Sequence, residues 1–223
     1  MLKAAIFDMD GVIVNTEPLH HKAYHRMFND VNIDVPDELY TSFTGQSTIE
    51  ICRKLCDHFQ LPLGPQTLVE LKRDHFRVLF ETDTSLDLIE GVLDLIKDYH
   101  RNGMTLVLGS SASMENINNI FSRFDLEHFF SAKFSGADLK ASKPHPEIFE
   151  KAADATGFKR DECLVIEDST NGIEAAKAAG IFCVGYDSFH SKDQDYSKAD
   201  IVVSDFNDIS YEKIIKCFQG IEV

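Results

Sequence analysis

Two aspartates, Asp8 and Asp10, stand two positions apart where the apolar run AAIF meets a glycine, in AAIFDMDGVIVNTEP. Like charges that close raise each other's protonation free energy and contribute nothing to folding, so the pair points to a cation, a proton-transfer step, or both. Three later segments supply matching chemistry: Ser110 in LGSSAS, Lys143 in KPHPE, and Glu167 with Asp168 in VIEDST. Each has a bland reading on its own. An Asp at a strand end is a turn former or helix cap, Ser110 caps the helix SMENINNIFSRF, Lys143 is a surface lysine before a Pro-started helix, and EDS is solvated. Taken together and in order, four carboxylates, a hydroxyl and a lysine form a set able to hold Mg²⁺ and a phosphoryl group.

Such a set needs elements that deliver each member to one place. The runs KAAIFD, MTLVLG, AKFSG, CLVIED, IFCVG and DIVVSD are apolar on consecutive positions and separated by helix-length segments. That pattern predicts parallel strands buried on both faces, a doubly wound α/β core. In such a sheet ligands bind beyond the carboxyl ends of the strands, where Asp8, Ser110, Glu167 and Asp168 all fall. Between residues 15 and 83 the rhythm breaks. EPLHHKAYHRMFNDV, STIEICRKLCDHF and LVELKRDHFRVLF read as successive amphipathic helices, so the expected organisation is a core of residues 1–14 and 84–223 with a helical module inserted at 15–83. The helix LIEGVLDLIKDYHRNG, ending at Gly103, returns the chain to the core.

At 223 residues with 43% apolar content the chain can pack a sizeable interior, and its net charge of −15 argues against non-specific nucleic-acid binding. No apolar run is long enough to span a bilayer, and MLKAAIF lacks the plan of a signal peptide, so a cytoplasmic, monomeric protein acting on a small metabolite is expected. The five cysteines show neither CxxC pairs nor disulfide density; Cys52 and Cys56, four apart, read as reduced thiols, since nothing nearby completes a metal set.

These residues resemble the four motifs of the haloacid dehalogenase superfamily: DMDG its DxD signature, Ser110 its serine motif, Lys143 its lysine motif and EDS its acidic motif. FDMDGVIVNTEPLH and IEDSTNGIEAAKAAG are especially similar to the β-phosphoglucomutase-like branch, whose helical cap follows the first motif. The resemblance implies a Rossmann-like core and a phosphohydrolase that forms an aspartyl phosphate on Asp8. It implies Mg²⁺ held by Asp8, the Asp10 carbonyl and Asp168, with Glu167 as a further ligand or a support for one. Asp10 would be general acid and then base, a task needing a raised pKa, while Ser110, the adjacent Ser111 and Lys143 would hold the phosphate. His20 falls at a cap-hinge position of this branch, and on an amphipathic helix it reads equally as a packed or surface residue. The pair His20 and His21 is not read as a metal site.

Two departures bear on the reaction. The mutase pattern has a lysine before the glycine of TGQST and an arginine three residues after it; this chain has Thr44 and Thr48. Each lost desolvated charged contact costs about 2–5 kcal/mol, so hydrolysis is expected over isomerisation of a sugar phosphate, unless Arg53 or Lys54 substitutes. Asn15 stands where the family commonly has Asp. A phosphorylation-switched receiver module is disfavoured because its acidic pair precedes the phosphorylated Asp, and a dehalogenase has no use for Asp10 or Mg²⁺.

Overall fold

The computed structural model describes residues 1–43, 46–187, 189, 191 and 193–220. Six parallel strands form one sheet in the order β3-β2-β1-β4-β5-β6. They are β1 (Ala4–Phe7), β2 (Thr105–Ser110), β3 (Phe130–Ser135), β4 (Cys163–Glu167), β5 (Phe182–Tyr186) and β6 (Ile201–Val203). All six sequence-predicted strands are present. Order reverses at β1, which pairs with β2 on one side and β4 on the other, so the central crevice opens at the carboxyl end of β1.

Alternate residues of each strand face opposite layers. Ala5, Phe7, Leu106, Leu108, Leu164 and Ile166 pack with α5 (Val92–Arg101), α6 (Met114–Arg123) and α9 (Tyr211–Phe218). Ala4, Ile6, Val107, Val165 and Cys183 pack with α7 (Glu147–Thr156) and α8 (Thr170–Ala178). Both faces of β1, β2, β4 and β5 are covered, which is why these strands read as near-continuous apolar runs, whereas the edge strands β3 and β6 stay partly exposed.

Between β1 and α5 lie four helices: α1 (Glu17–Asp30), α2 (Asp37–Thr41), α3 (Thr48–Phe59) and α4 (Pro65–Thr82). Tyr24, Met27, Phe28, Ile51, Cys52, Leu55, Leu68 and Val69 form their own buried cluster. The lower ends of α1 and α4, through Leu19, Ala23, Phe76 and Leu79, join the core layer beneath. The short α2 has no buried residue, hence no apolar stripe by which periodicity could have found it. Helix α5 begins at Val92, not near Leu88 as its pattern suggested. Gly91 sits at φ +82°, and Leu88 and Ile89 instead pair with the first-motif segment, Ile89 N–H donating to Ile13 O at 2.9 Å. All five cysteines are free thiols; burial pushes Cys52 up to about 12.

Candidate active site

The register of β1 with β4 sets Phe7 beside Ile166, and Asp8 N–H donates to Ile166 O at 3.0 Å. The next residues along the two strands, Asp8 and Glu167, therefore emerge side by side at the crevice. Lys143, from the segment between β3 and α7, is buried and bridges them: its Nζ donates to Asp8 Oδ1 at 2.7 Å and to Glu167 Oε1 at 2.6 Å. The other Glu167 oxygen, Oε2, accepts from Ser169 N–H at 2.7 Å and from Ser169 Oγ at 2.9 Å. Ser169 in turn caps α8, its Oγ accepting from Gly172 N–H at 3.1 Å. Glu167 lies against the first turn of α8 so closely that a Cβ at Gly172 would stand 1.8 Å from its Oε1.

Asp168 completes an acidic triad with Asp8 and Glu167, one oxygen of each lying within 4.8 Å of the others. Ser191 Oγ donates to Asp168 Oδ2, and Tyr196 OH donates to its backbone carbonyl at 3.0 Å. A Cβ at Gly11, φ +84°, would lie 1.9 Å from Asp168 Oδ2, so the glycine after the two aspartates serves both the turn and this approach. Burial, then the Glu167 and Asp8 charges, holds Asp168 well above the usual carboxylate range. Burial likewise raises Asp8; Lys143 opposes this, and Glu167 and Asp10 reinforce it. For Lys143 the two carboxylates outweigh burial and keep the ammonium charged.

A cleft of about 270 Å³ opens over this group. Among the described residues its charged lining is five carboxylates, Asp8, Asp10, Glu17, Glu167 and Asp168, against three cations, Lys72, Arg73 and Lys143. The all-oxygen donor set of Asp8, Glu167 and Asp168 suits a hard divalent cation such as Mg²⁺.

The helical side of the cleft differs from expectation. Lys72 of α4 is buried, and its Nζ lies 2.7 Å from His20 Nδ1 and 5.0 Å above the rings of Tyr24 and Phe76. His20 stacks on Phe76 at 4.4 Å, and its Nε2 is 3.8 Å from Asp10 Oδ1. Burial lowers the Lys72 pKa to about 8 against the opposing pull of Asp10. The chain Asp10, His20, Lys72 thus ties the loop after β1 to α1 and α4. Arg73, next on α4, lines the same cleft.

Several sequence-predicted residues land together: Asp8, Asp10, His20, Thr48, Ser111, Lys143, Glu167 and Asp168 all line this cleft, as does Asn15. Ser110 ends β2 with its side chain buried, and its Oγ accepts from Ala112 N–H at 3.1 Å. Thr44 lies outside the described residues. The raised pKa anticipated for Asp10 is not found. Burial does push it up, but the nearby His20, the Thr16 hydrogen bond and the Lys72 charge prevail and hold it below the usual carboxylate range. Arg53 and Lys54 are not the cleft's cations: Arg53 pairs with Glu50, and Lys54 Nζ donates to Gln46 Oε1 at 2.7 Å. Sequence reasoning missed Lys72 and Arg73, although a signal existed: Lys72 interrupts the apolar stripe Leu68, Val69, Phe76, Leu79, a core position on α4.

The parallel sheet thus gathers three buried carboxylates and a buried lysine at its central crevice, beside the helices that lie between β1 and α5. Residues 5–186 match the profile of the haloacid dehalogenase-like hydrolases, and the chain belongs to that family. It is 30% identical over 182 residues to the fructose-1-phosphate phosphatase YqaB of Escherichia coli (strain K12), covering 80% of this chain and 93% of that one. Among solved structures, the β-phosphoglucomutase of Clostridium difficile superposes with a TM-score of 0.87 at 27% identity, covering 99% of this chain and 98% of its own. CbbY of Rhodobacter sphaeroides, in complex with phosphate, gives 0.84 at 26% identity over 94% and 96% of the two chains.

Proposed function

We propose that this protein is a Mg²⁺-dependent phosphohydrolase of small sugar-phosphate-like monoesters, working through an aspartyl phosphate on Asp8. The observation that carries the reading is Lys143, buried and bonded at once to Asp8 and Glu167 at the crevice. Asp8, Asp168 and the Asp10 carbonyl, with Glu167 in support, would hold Mg²⁺, which would supply charge compensation between carboxylate and phosphate. An Asp8 carboxylate oxygen attacks phosphorus, the ester P–O bond breaks, and the departing oxygen takes a proton from Asp10. Water then attacks the acyl phosphate, Asp10 takes back a proton, and inorganic phosphate leaves with the Asp8 carboxylate restored. Asp10, held ionised by His20 and Thr16, is in its base form. The phosphate dianion entering beside it raises its pKa by like charge, so that Asp10 takes up a proton from solvent and can then donate it to the departing oxygen. Lys143, Ser111 and, through its backbone turn, Ser110 hold the transferring group.

Residues 15–83 act as a cap over a core of 1–14 and 84–223, with Thr48, Lys72 and Arg73 on the substrate's distal side. A fructose-1-phosphate phosphatase and hexitol phosphatases among the relatives support a phosphorylated sugar or polyol as substrate. The chain's charge of −15 makes nucleic acid a poor partner and a small diffusible ester a suitable one. Among the described residues no helix is long and apolar enough to cross a membrane. We take the protein to work as a cytoplasmic monomer.

Phosphate release over a panel of fructose 1-phosphate, hexitol phosphates, glucose phosphates and phosphoglycolate, with Mg²⁺ and with EDTA, tests the reading. Mg²⁺-dependent release from at least one ester, abolished in Asp8→Asn, is expected; no release across the panel refutes it. A mutase is the second reading, favoured by Lys72 and Arg73, which supply cap-side cations that positions 44 and 48 lack. Formation of glucose 6-phosphate from β-glucose 1-phosphate, primed with glucose 1,6-bisphosphate and faster than phosphate release, would establish it.

A further inference from the structure

Away from the catalytic carboxylates, α1 brings two imidazoles together. His21 and His25 stand four residues apart, one helical turn, with their Nε2 atoms 3.0 Å from each other and ring centroids 4.1 Å apart. Tyr40 of α2 packs its ring 5.0 Å from His21 and 5.8 Å from His25, and Phe28 lies 5.4 Å from His25, so the rings are held from the side. Glu17, one turn before His21, accepts a hydrogen bond from Tyr40 OH at 3.0 Å and adds negative charge to the same stripe. Burial and the neighbouring His21 lower the pKa of His25, with Asp37 opposing. A neutral imidazole offers its lone pair.

We propose that His21 and His25 form a binding site for a transition-metal dication of the imidazole-preferring class, Cu²⁺ or Ni²⁺, held by the two Nε2 atoms with water completing its shell. Metal–imidazole bonds run about 2.0–2.1 Å, so nitrogens 3.0 Å apart subtend an angle of about 95° at the ion. That is the angle between adjacent positions of a square-planar or octahedral shell, the geometries of Cu²⁺ and Ni²⁺, and it is narrower than the tetrahedral angle Zn²⁺ prefers. The site is chemically separate from the acidic triad. Hard oxygen ligands select Mg²⁺ and nitrogen ligands select the later metals, so both can be filled at once.

Calorimetric titration with Ni²⁺, in saturating Mg²⁺, tests this on the intact chain, with Cu²⁺ electron paramagnetic resonance as a second readout. The wild type is expected to bind one equivalent, and the Cu²⁺ spectrum to show nitrogen hyperfine structure. His21→Ala and His25→Ala should each weaken binding at least about tenfold, while His58→Ala, an exposed histidine elsewhere, changes nothing. Urea midpoints confirm that the variants remain folded, and His25→Gln gives a milder replacement of the same ligand. Unchanged affinity in both alanine variants would overturn the proposal and leave the pair as an imidazole–imidazole hydrogen bond. So would Ni²⁺ binding that is lost in Glu167→Gln, which would place the ion at the carboxylates.

Discussion

Replacing Lys143 with Met removes a cation bonded to both Asp8 and Glu167 while keeping most of the side-chain volume. The Lys143, Asp8 and Glu167 side chains are 3%, 9% and 1% exposed, so the two carboxylates left behind cannot turn to water. Breaking a buried ion pair from one side costs about 3–5 kcal/mol, because the surviving charge keeps its desolvation penalty and loses its partner. The lysine also lies 4.8 Å above the Phe149 ring, a contact Met retains only as packing. Against a total stability of about 5–15 kcal/mol the loss is large, and for a chain of this length it lowers Tm by about 6–20 °C. Urea unfolding in EDTA and in Mg²⁺ measures it. The loss should be greater in EDTA, because a divalent cation at the triad does part of what the ammonium does. The double variant Lys143→Met/Glu167→Met should recover stability relative to Lys143→Met alone, since it deletes one of the stranded charges. A loss below about 1 kcal/mol in EDTA, or equal losses with and without Mg²⁺, would refute the account.

Gly172→Ala drives a Cβ into the Glu167 carboxylate; a loss of about 1–3 kcal/mol in urea unfolding, together with weakened Mg²⁺ affinity, is expected. Tyr99→Phe deletes the buried bond from its OH to Ile209 O, 2.7 Å long, and should cost about 1–3 kcal/mol by thermal unfolding without changing the Mg²⁺ requirement. Lys72, depressed to about 8 from the ordinary 10.5, releases its proton in the folded state before the unfolded one does. Between those values the unfolded chain binds more protons, so this group's contribution to stability rises with pH, by up to about 3 kcal/mol. Urea unfolding at pH 7.5 and pH 10 should therefore show the wild type gaining relative to Lys72→Met; parallel profiles would exclude a buried, depressed lysine.

The sheet was legible because a strand covered on both faces has to be apolar at every position, and KAAIFD, MTLVLG and CLVIED meet that condition within a few residues of their observed bounds. The crevice residues were legible for a related reason: Asp8 and Glu167 are charges placed where an apolar run ends. Gly91 shows where pattern reading fails, since the apolar residues before it pack as an extended segment against Ile13 and a positive φ delays the helix. Residue types alone also could not show which serine faces the cleft, because Ser110 and Ser111 differ only in the alternation of a strand end.

Lys72 marks the deeper limit, and it changes the chemistry assigned to Asp10. A lysine at a core position of an amphipathic helix is destabilising unless something in the interior needs its charge. Here that something is Asp10, reached through His20, on the loop after β1. The sequence places residues 10, 20 and 72 on three separate elements, so no spacing rule links them. Their coupling exists only once α1 and α4 are folded against the sheet. It is this arrangement that holds Asp10 ionised when the DxD pattern alone predicts a raised acid. In the proposed mechanism substrate entry would therefore have to do electrostatic work on Asp10 before it could donate a proton, and α4, which carries Lys72, also carries Arg73, which lines the cleft where the substrate's far end would lie. In the proposed mechanism α1 and α4 would thus carry both Arg73, facing the substrate's far end, and the groups that set the protonation of Asp10, so that recognition of the correct ester would be coupled to proton transfer there.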